Sequence, residues 1–312
     1  MNKLLILDDD ASTYHGEITG LNLPEIEIVT AVNVDEAQEH TPSANIILGK
    51  PALVALILSE TPRLQWVQST FAGVEPLCKT GLPHNYVLTG VKDLFGSLMS
   101  EYVFGYILAR ERSILATARN QKRKIWSRLK YRSLSEIVIG LVGLGSIGRN
   151  IALTARHFDM KILGMKRTPG DADFVDRLYL PTELDAFLPQ LDYLVLILPD
   201  TAESRNFISL KELNVMKNSA VLVNVGRGVT VNQKDLIAAL DSKHIGGAIL
   251  DVFEEEPLAP DNPLWDMENV MITPHNAAYS FPAQVTEIFF KNYLCFLDGS
   301  PLHFVVDFDR GY

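Results

Sequence analysis

Cysteine is nearly absent from these 312 residues: only Cys78 and Cys295 occur. Two thiols without metal-ligand spacing build neither a metal centre nor a disulfide framework, and their scarcity fits a reducing cytoplasm. Long apolar runs are missing as well. The longest candidate, IILGKPALVALIL, is interrupted by Lys50 and Pro51, so nothing reaches the length that spans a bilayer. The N-terminal MNKLLILDDD turns acidic after too few apolar residues for a secretory signal. Basic charge is also short, with 28 Lys and Arg against 38 Asp and Glu and a net charge of −10. Such a chain is a poor partner for a nucleic-acid backbone or an anionic membrane. Repeats and low-complexity segments are lacking too. The expectation is a cytoplasmic protein with no metal, no nucleic-acid partner and no membrane partner.

What the chain has in abundance is short apolar runs, within a hydrophobic fraction of 47%. KLLIL, EIEIVTAV, NIILG, LQWVQ and YVLTG come first; IVIGLVG, KILGM, DYLVLIL, AVLVNV, GGAILDV and NVMIT follow. Runs apolar at nearly every position belong to strands covered on both faces, as in parallel sheets. Segments with helical spacing, such as SLKELNVMK and VNQKDLIAALDSK, separate them. Repeated strand–helix–strand units predict an α/β chain with doubly wound parallel sheets. About eleven strands are too many for one ordinary sheet, which predicts two domains. The boundary falls near Ser97, where SLMSEYVFGYILARERSILATARNQKRKIW begins a helical pattern that runs to Trp126 without proline. Its apolar first half is buried either inside its own domain or by a second subunit. The basic RNQKRK is a solvated face.

One motif carries a ligand prediction. In IVIGLVGLGSIGRNIA, Gly143, Gly145 and Gly148 form G-x-G-x-x-G between a buried strand and a helical pattern. That context suits a dinucleotide pyrophosphate on the helix N-terminus, near Ser146 and Ile147. The next strand, KILGM, runs into Lys166, Arg167 and Thr168, where an NAD site usually places an acid on the ribose 2′-hydroxyl. Two cations and a hydroxyl suit a 2′-phosphate, so NADP is the preferred cofactor and NAD the second choice.

Three further residues end putative strands of the same half: Arg227 in NVGRGVTVN, Glu256 before Pro257 in DVFEEEPL, and His275 after Pro274 in TPHNAAYS. An arginine at the mouth of a buried strand is costly to desolvate without an anion to meet it. At carboxyl ends of parallel strands, these side chains can converge on a ligand crevice. Glu254 and Glu255 are solvated charges.

With the glycine loop, this set resembles the D-isomer-specific 2-hydroxyacid dehydrogenases, over essentially the whole chain. GLGSIGRNIA, LILPDTAESRNFI, VNVGRG, DVFEEEPL and TPH match the family's motifs in order, while WVQSTFAGVEPL, SEYVFGYIL and GSPLHFVVDFDRGY look most like the branch of glyoxylate/hydroxypyruvate reductases. The resemblance implies a flavodoxin-like outer domain of residues 1–97 plus 283–312 and a Rossmann cofactor domain of 98–282. It implies a hydride moved from NADPH or NADH to a small 2-oxo acid such as glyoxylate or hydroxypyruvate, giving a D-2-hydroxy acid. Arg227 would bind the substrate's carboxylate and carbonyl; His275 would be the general acid, held by Glu256. Asp251 would contact the nicotinamide amide, and Pro199, Thr201, Val225, Gly226 and His275 would line the cofactor. Phe71, Ala72 and Gly73 would offer backbone N–H groups to the substrate. The glycines beside Arg227 would leave room for its ligand, and the long helix from Ser97 would pair two copies as a homodimer.

Two other readings stay open. One is an NAD-dependent D-3-phosphoglycerate dehydrogenase-like enzyme, disfavoured by Lys166, Arg167 and the lack of a regulatory domain beyond Tyr312. The other is a dinucleotide-sensing corepressor-like scaffold, disfavoured by the lack of long tails. Asp200 in LPDT departs from the family's apolar habit, Asn276 and Tyr279 replace its small residues after the histidine, and SEIVIG replaces its glycine-rich approach to the first strand of the half.

Overall fold

The computed structural model describes residues 1–170 and 172–311; Tyr312, the last residue of the C-terminal segment quoted above, lies outside them. The chain divides into two compact units, Met1–Leu94 with Ser280–Tyr312, and Phe95–Tyr279. The crossings come just before two helices, Gly96–Glu111 and Pro282–Asp298. Boundaries at 97 and 283 would therefore cut a first turn. Pro282 explains the second crossing: its fixed φ suits a first helical turn, whose orphan N–H it also removes.

The first unit holds a five-stranded parallel sheet. Its strands are β1 (Asn2–Leu7), β2 (Ile26–Ala31), β3 (Ile46–Gly49), β4 (Trp66–Ser69) and β5 (Val87–Thr89), in the order β2-β1-β3-β4-β5. This is the flavodoxin-like doubly wound order. One face carries Leu5, Leu7, Ile47, Val67 and Leu88 into a core closed by Val54 and Ile57 of the helix Pro51–Ile57. On the returning helix Pro282–Asp298, Phe289 stacks on Trp66 with centroids 5.1 Å apart. Its Asn292 donates to Gln68 Oε1 at 3.0 Å, a fully buried bond that ties the returning segment to β4.

The second unit holds a seven-stranded parallel sheet. Its strands are β6 (Val138–Val142), β7 (Lys161–Met165), β8 (Arg177–Tyr179), β9 (Tyr193–Leu196), β10 (Val221–Asn224), β11 (Gly247–Leu250) and β12 (Val270–Ile272), in the order β12-β11-β10-β9-β6-β7-β8. Neighbouring residues of one strand enter different cores. Leu194 and Leu196 pack with Leu222 and Leu250, whereas Tyr193 and Val195 pack with Val223 and Ile249. Burial on both faces is why the sequence reads as unbroken apolar runs. The sheet grows one way from β6 through β7 and the other way through β9, so its switch point, where doubly wound sheets bind ligands, lies between β6 and β9.

The pattern from Ser97 to Trp126 is two helices. Gly96–Glu111 stops, Ser113 adopts a left-handed φ of 52°, and Ile114–Lys122 begins anew. Val103, Phe104 and Ile107 of the first helix are buried in their own unit, against Ile151, Ala152 and Ala155 of the helix Ser146–His157. The second helix buries no residue.

Candidate active site

The glycine loop sits at the switch point and is shaped by contact. Gly143 has φ of 103°, and a Cβ there would come within 2.5 Å of Ile197 O. A Cβ on Gly148 would fall 2.1 Å from Gly143 O, so the helix Ser146–His157 begins against the loop. Gly145 differs: a Cβ there would meet nothing within 4 Å, and Gly145 and Ser146 are exposed while Ile147 is half-buried. The backbone at the head of a twelve-residue helix thus lies open, and its unpaired N–H groups and positive dipole end fit a pyrophosphate.

Beyond β7, Lys166 is half-buried and Arg167 and Thr168 are exposed. Lys166 N–H donates to Tyr179 O at 3.2 Å, which continues the pairing toward β8. Its Nζ lies 3.3 Å from where a Cβ of Gly170 would stand, so the ammonium folds back over the turn. After β9, Ser204 Oγ donates to Pro199 O at 2.6 Å and accepts from Thr201 N at 2.9 Å, closing a turn. Asp200, the acid out of place in the sequence, meets Arg205 at 2.7 Å, five residues on; its second oxygen is buried without a hydrogen-bond partner. Glu203, in the same turn, titrates below its ordinary range, through hydrogen bonds to its own backbone and Thr201 and the charge of Arg167.

At the carboxyl ends of β10, β11 and β12, His275 Nδ1 meets Glu256 Oε2 at 2.7 Å. Glu256 Oε1 accepts the Phe253 N–H at 3.0 Å, which fixes the carboxylate. Burial works against the charge of Glu256, but the hydrogen bonds from His275 and Phe253 and the charges of His275 and Arg227 outweigh it and hold its pKa below the usual range. The hydrogen bond to Glu256 pushes His275 above its ordinary value. Burial and Arg227 oppose that rise, while the charges of Glu256 and Asp251 add to it. The fields of Arg227 therefore reach both members of the pair. The imidazole keeps about half of its surface exposed, at 52%, so a polarised proton carrier faces an accessible space.

Arg227 follows the buried pair Val225 and Gly226. Its Nη1 donates to Gly226 O at 2.8 Å, and its carbonyl accepts from Asn224 Nδ2 at 2.9 Å. The flanking glycines are demanded by close backbone packing. A Cβ on Gly226 would come within 2.8 Å of Leu198 N and O, and one on Gly228 within 1.9 Å of Phe253 C and O.

Asp251 is 1% exposed. Its carbonyl accepts the His275 N–H at 2.9 Å, and its Oδ1 accepts the N–H groups of Asn276 at 2.9 Å and Ala277 at 3.1 Å and the hydroxyl of Thr273. One buried acid thus anchors the loop that carries His275. The spacing of the motifs hides this, because Thr273 reads as part of a strand end and the backbone donors leave no mark in a sequence.

In the first unit, Phe71 and Ala72 are exposed and Gly73 is half-buried, in the loop after β4. Phe71 N–H is taken by Ser69 Oγ at 3.0 Å, while among the described residues no bond uses the N–H groups of Ala72 or Gly73. Behind the loop, Thr70 Oγ1 donates to the buried Asp8 carboxylate at 2.7 Å. Burial raises the pKa of Asp8.

A family model described as the D-isomer specific 2-hydroxyacid dehydrogenase NAD-binding domain matches residues 104–277. The chain belongs to the D-isomer specific 2-hydroxyacid dehydrogenase family. Within it, the chain stands with the glyoxylate/hydroxypyruvate reductase A-like branch. It is 33% identical to the glyoxylate/hydroxypyruvate reductase A of Salmonella newport, covering 80% of this chain and 82% of that one. A family member from Aeromonas salmonicida has a solved structure that superposes with a TM-score of 0.95, at 40% identity and 99% coverage of both chains. The NADPH-dependent glyoxylate/hydroxypyruvate reductase of Sinorhizobium meliloti, solved with NADP and sulfate, superposes with a TM-score of 0.88, at 29% identity and full coverage of both chains. The chain is an NAD(P)-dependent oxidoreductase of the 2-hydroxyacid dehydrogenase type. Among the described residues, no helix is long and apolar enough to cross a membrane.

Proposed function

We propose that this enzyme reduces a small 2-oxo acid, with glyoxylate and hydroxypyruvate as the first substrates to offer it, to the D-2-hydroxy acid, and that it prefers NADPH to NADH. The observation that carries the reading is the His275–Glu256 contact of 2.7 Å within the field of Arg227, on the sheet whose switch point holds the glycine loop. The glyoxylate/hydroxypyruvate reductases among its relatives supply the substrate class.

When bound, the nicotinamide supplies the hydride. The residues divide the rest. The open backbone of Gly145, Ser146 and Ile147 holds the pyrophosphate, while Pro199, Thr201, Val225 and Gly226 line the cofactor. Lys166, Arg167 and Thr168 take the 2′-phosphate as charge-assisted donors. The planar guanidinium of Arg227 binds carboxylate and carbonyl oxygens together, which orients the carbonyl and stabilises the charge that develops on its oxygen. His275, protonated on both ring nitrogens, keeps one proton on Glu256 and gives the other to that oxygen. Asp251 holds the His275 loop.

The enzyme works as a cytoplasmic homodimer on this reading. The helix Ile114–Lys122 buries nothing, and Ile114, Leu115, Ile125, Trp126 and Tyr131 are exposed along 114–131. A second copy is the cover such an apolar surface calls for; a monomer by sedimentation would remove it.

The deciding experiment follows NADPH and NADH absorbance against a panel of 2-oxo acids. Turnover of glyoxylate or hydroxypyruvate with a lower Michaelis constant for NADPH supports the proposal. The double variant Lys166→Ala/Arg167→Ala should then raise the NADPH constant and leave the NADH constant in place. No turnover on any oxo acid would contradict the substrate class, and a clear NADH preference would contradict the cofactor choice.

A further inference from the structure

We propose that the hydroxyl of Tyr102 is a positioning group for His275, acting from the helix Gly96–Glu111 through Thr273 and Asp251. The inference rests on the reading of His275 as proton donor. Tyr102 OH lies 2.7 Å from Thr273 Oγ1, and Thr273 Oγ1 in turn donates to Asp251 Oδ1. A threonine hydroxyl has one proton. Since the carboxylate takes it, the Thr273 oxygen is left to accept, and Tyr102 must be the donor. The chain therefore has one direction: phenol to hydroxyl to carboxylate.

That carboxylate is the anchor of the loop. Three consecutive N–H groups, those of His275, Asn276 and Ala277, end on Asp251, the first on its carbonyl at 2.9 Å and the others on Oδ1 at 2.9 and 3.1 Å. His275 stands at φ of 53°, a left-handed conformation that needs support from its surroundings. The imidazole is exposed, so this backbone anchor and the Glu256 contact are what orient it. Tyr102 reaches the anchor from behind, on an element that the sheet connections do not supply. Its ring packs on Tyr106, with centroids 4.7 Å apart. Burial lifts the Tyr102 phenol far above its ordinary range, which keeps it a hydroxyl donor at any working pH. Bonds in such a chain polarise one another, so removing the first weakens the grip of the last.

The charged groups acting on His275 are Glu256, Asp251 and Arg227, and the titratable groups facing Tyr102 are Asp251 and the neutral phenol of Tyr106. None of them is removed by Tyr102→Phe, which keeps the ring and deletes one donor. The expected result is a fall in kcat for glyoxylate reduction of about three- to tenfold, the worth of one neutral hydrogen bond, with the Michaelis constant for NADPH unchanged. In the ligand-free protein, a ¹⁵N NMR titration should show the pKa of His275 falling toward its ordinary value as the loop slackens away from Glu256. Thr273→Val should reproduce both effects, and Thr273→Ser, which keeps the hydroxyl, should restore wild-type values. Should Tyr102→Phe fail to fold, the Thr273 pair carries the same test. A Tyr102→Phe protein with lowered thermal stability but wild-type kcat and His275 titration would overturn the inference, because that is the signature of packing alone. His275→Asn separates the two levels. If it is inactive while Tyr102→Phe behaves as wild type, only the role of Tyr102 falls; if it is active, the donor reading falls and this inference with it.

Discussion

The same seven-stranded sheet carries a charge cluster at each end, and the two are built differently. At the amino ends of the strands, Asp192 holds Arg132 and Lys217, each at 3.2 Å, and the Val138 N–H at 2.9 Å, while Glu111 holds Arg132 at 3.0 Å and the Tyr193 hydroxyl at 2.8 Å. The acids are shut away, with side chains 8% and 9% exposed. At the carboxyl ends, the Glu256–His275 pair stands 35% and 52% exposed, with the field of Arg227 on both. Saturated bonds with closed acids ties the helix Gly96–Glu111 to the sheet. A proton carrier held on one side and open on the other is organised for an outside ligand. Burial alone does not separate function from structure here; what separates them is whether the group is left with something to give.

The contrast is broken most easily at the open end. His275→Asn should lower kcat for oxo acid reduction by about 10²–10⁴-fold, the usual worth of a positioned general acid, with NADPH affinity by fluorescence near that of the wild type. Activity within a few-fold of wild type would mean that the proton comes from elsewhere. Arg227→Ala should cost about 10²–10³-fold in kcat/KM, through a raised substrate constant and a lowered turnover. An equal loss of cofactor binding would place the arginine in the wrong half of the site. At the closed end, Asp192→Asn should leave kcat alone and lower stability by about 1–3 kcal/mol, as loss of a buried charged partner does. Burial opposes the charge of Asp192, but the Val138 N–H, Lys217 and Arg132 outweigh it and lower its pKa. Its contribution is therefore full above the ordinary carboxylate value and lost as pH falls through the lowered one. Denaturant titrations at neutral and acid pH should show wild type and variant converging in acid. A variant with normal stability and reduced kcat would erase the distinction between the two ends.

Much of this was legible in the chain because burial on both faces writes itself as apolar runs. Eleven of the strands stand out as apolar runs; β8 does not, since Arg177–Tyr179 is only three residues long and opens on a cation. The break at Ser113 was hidden because no glycine or proline marks it, and a serine at φ of 52° leaves no trace in the pattern. In the site, the residue types of Arg227, Glu256 and His275 speak for their chemistry, but their supports do not. Asp200 looks misplaced until the turn brings Arg205 against it. Asp251 works on backbone N–H groups, which every residue has. Gly226 and Gly228 invite a ligand in the sequence and meet backbone in the fold. Sequence reports what a side chain can do; it is silent on which atoms reach it first.

The most direct measurement is kcat/KM for glyoxylate reduction with NADPH against pH, in the wild type and in Glu256→Gln. On the proposed mechanism reduction consumes the proton on His275, and Glu256 raises the pKa of that imidazole. The wild type should therefore hold its rate past the ordinary imidazole value of about 6.5 and decline only above it, while Glu256→Gln should decline at lower pH. Superimposable profiles, or a wild-type rate that rises with pH, would contradict proton delivery by a histidine that Glu256 keeps charged.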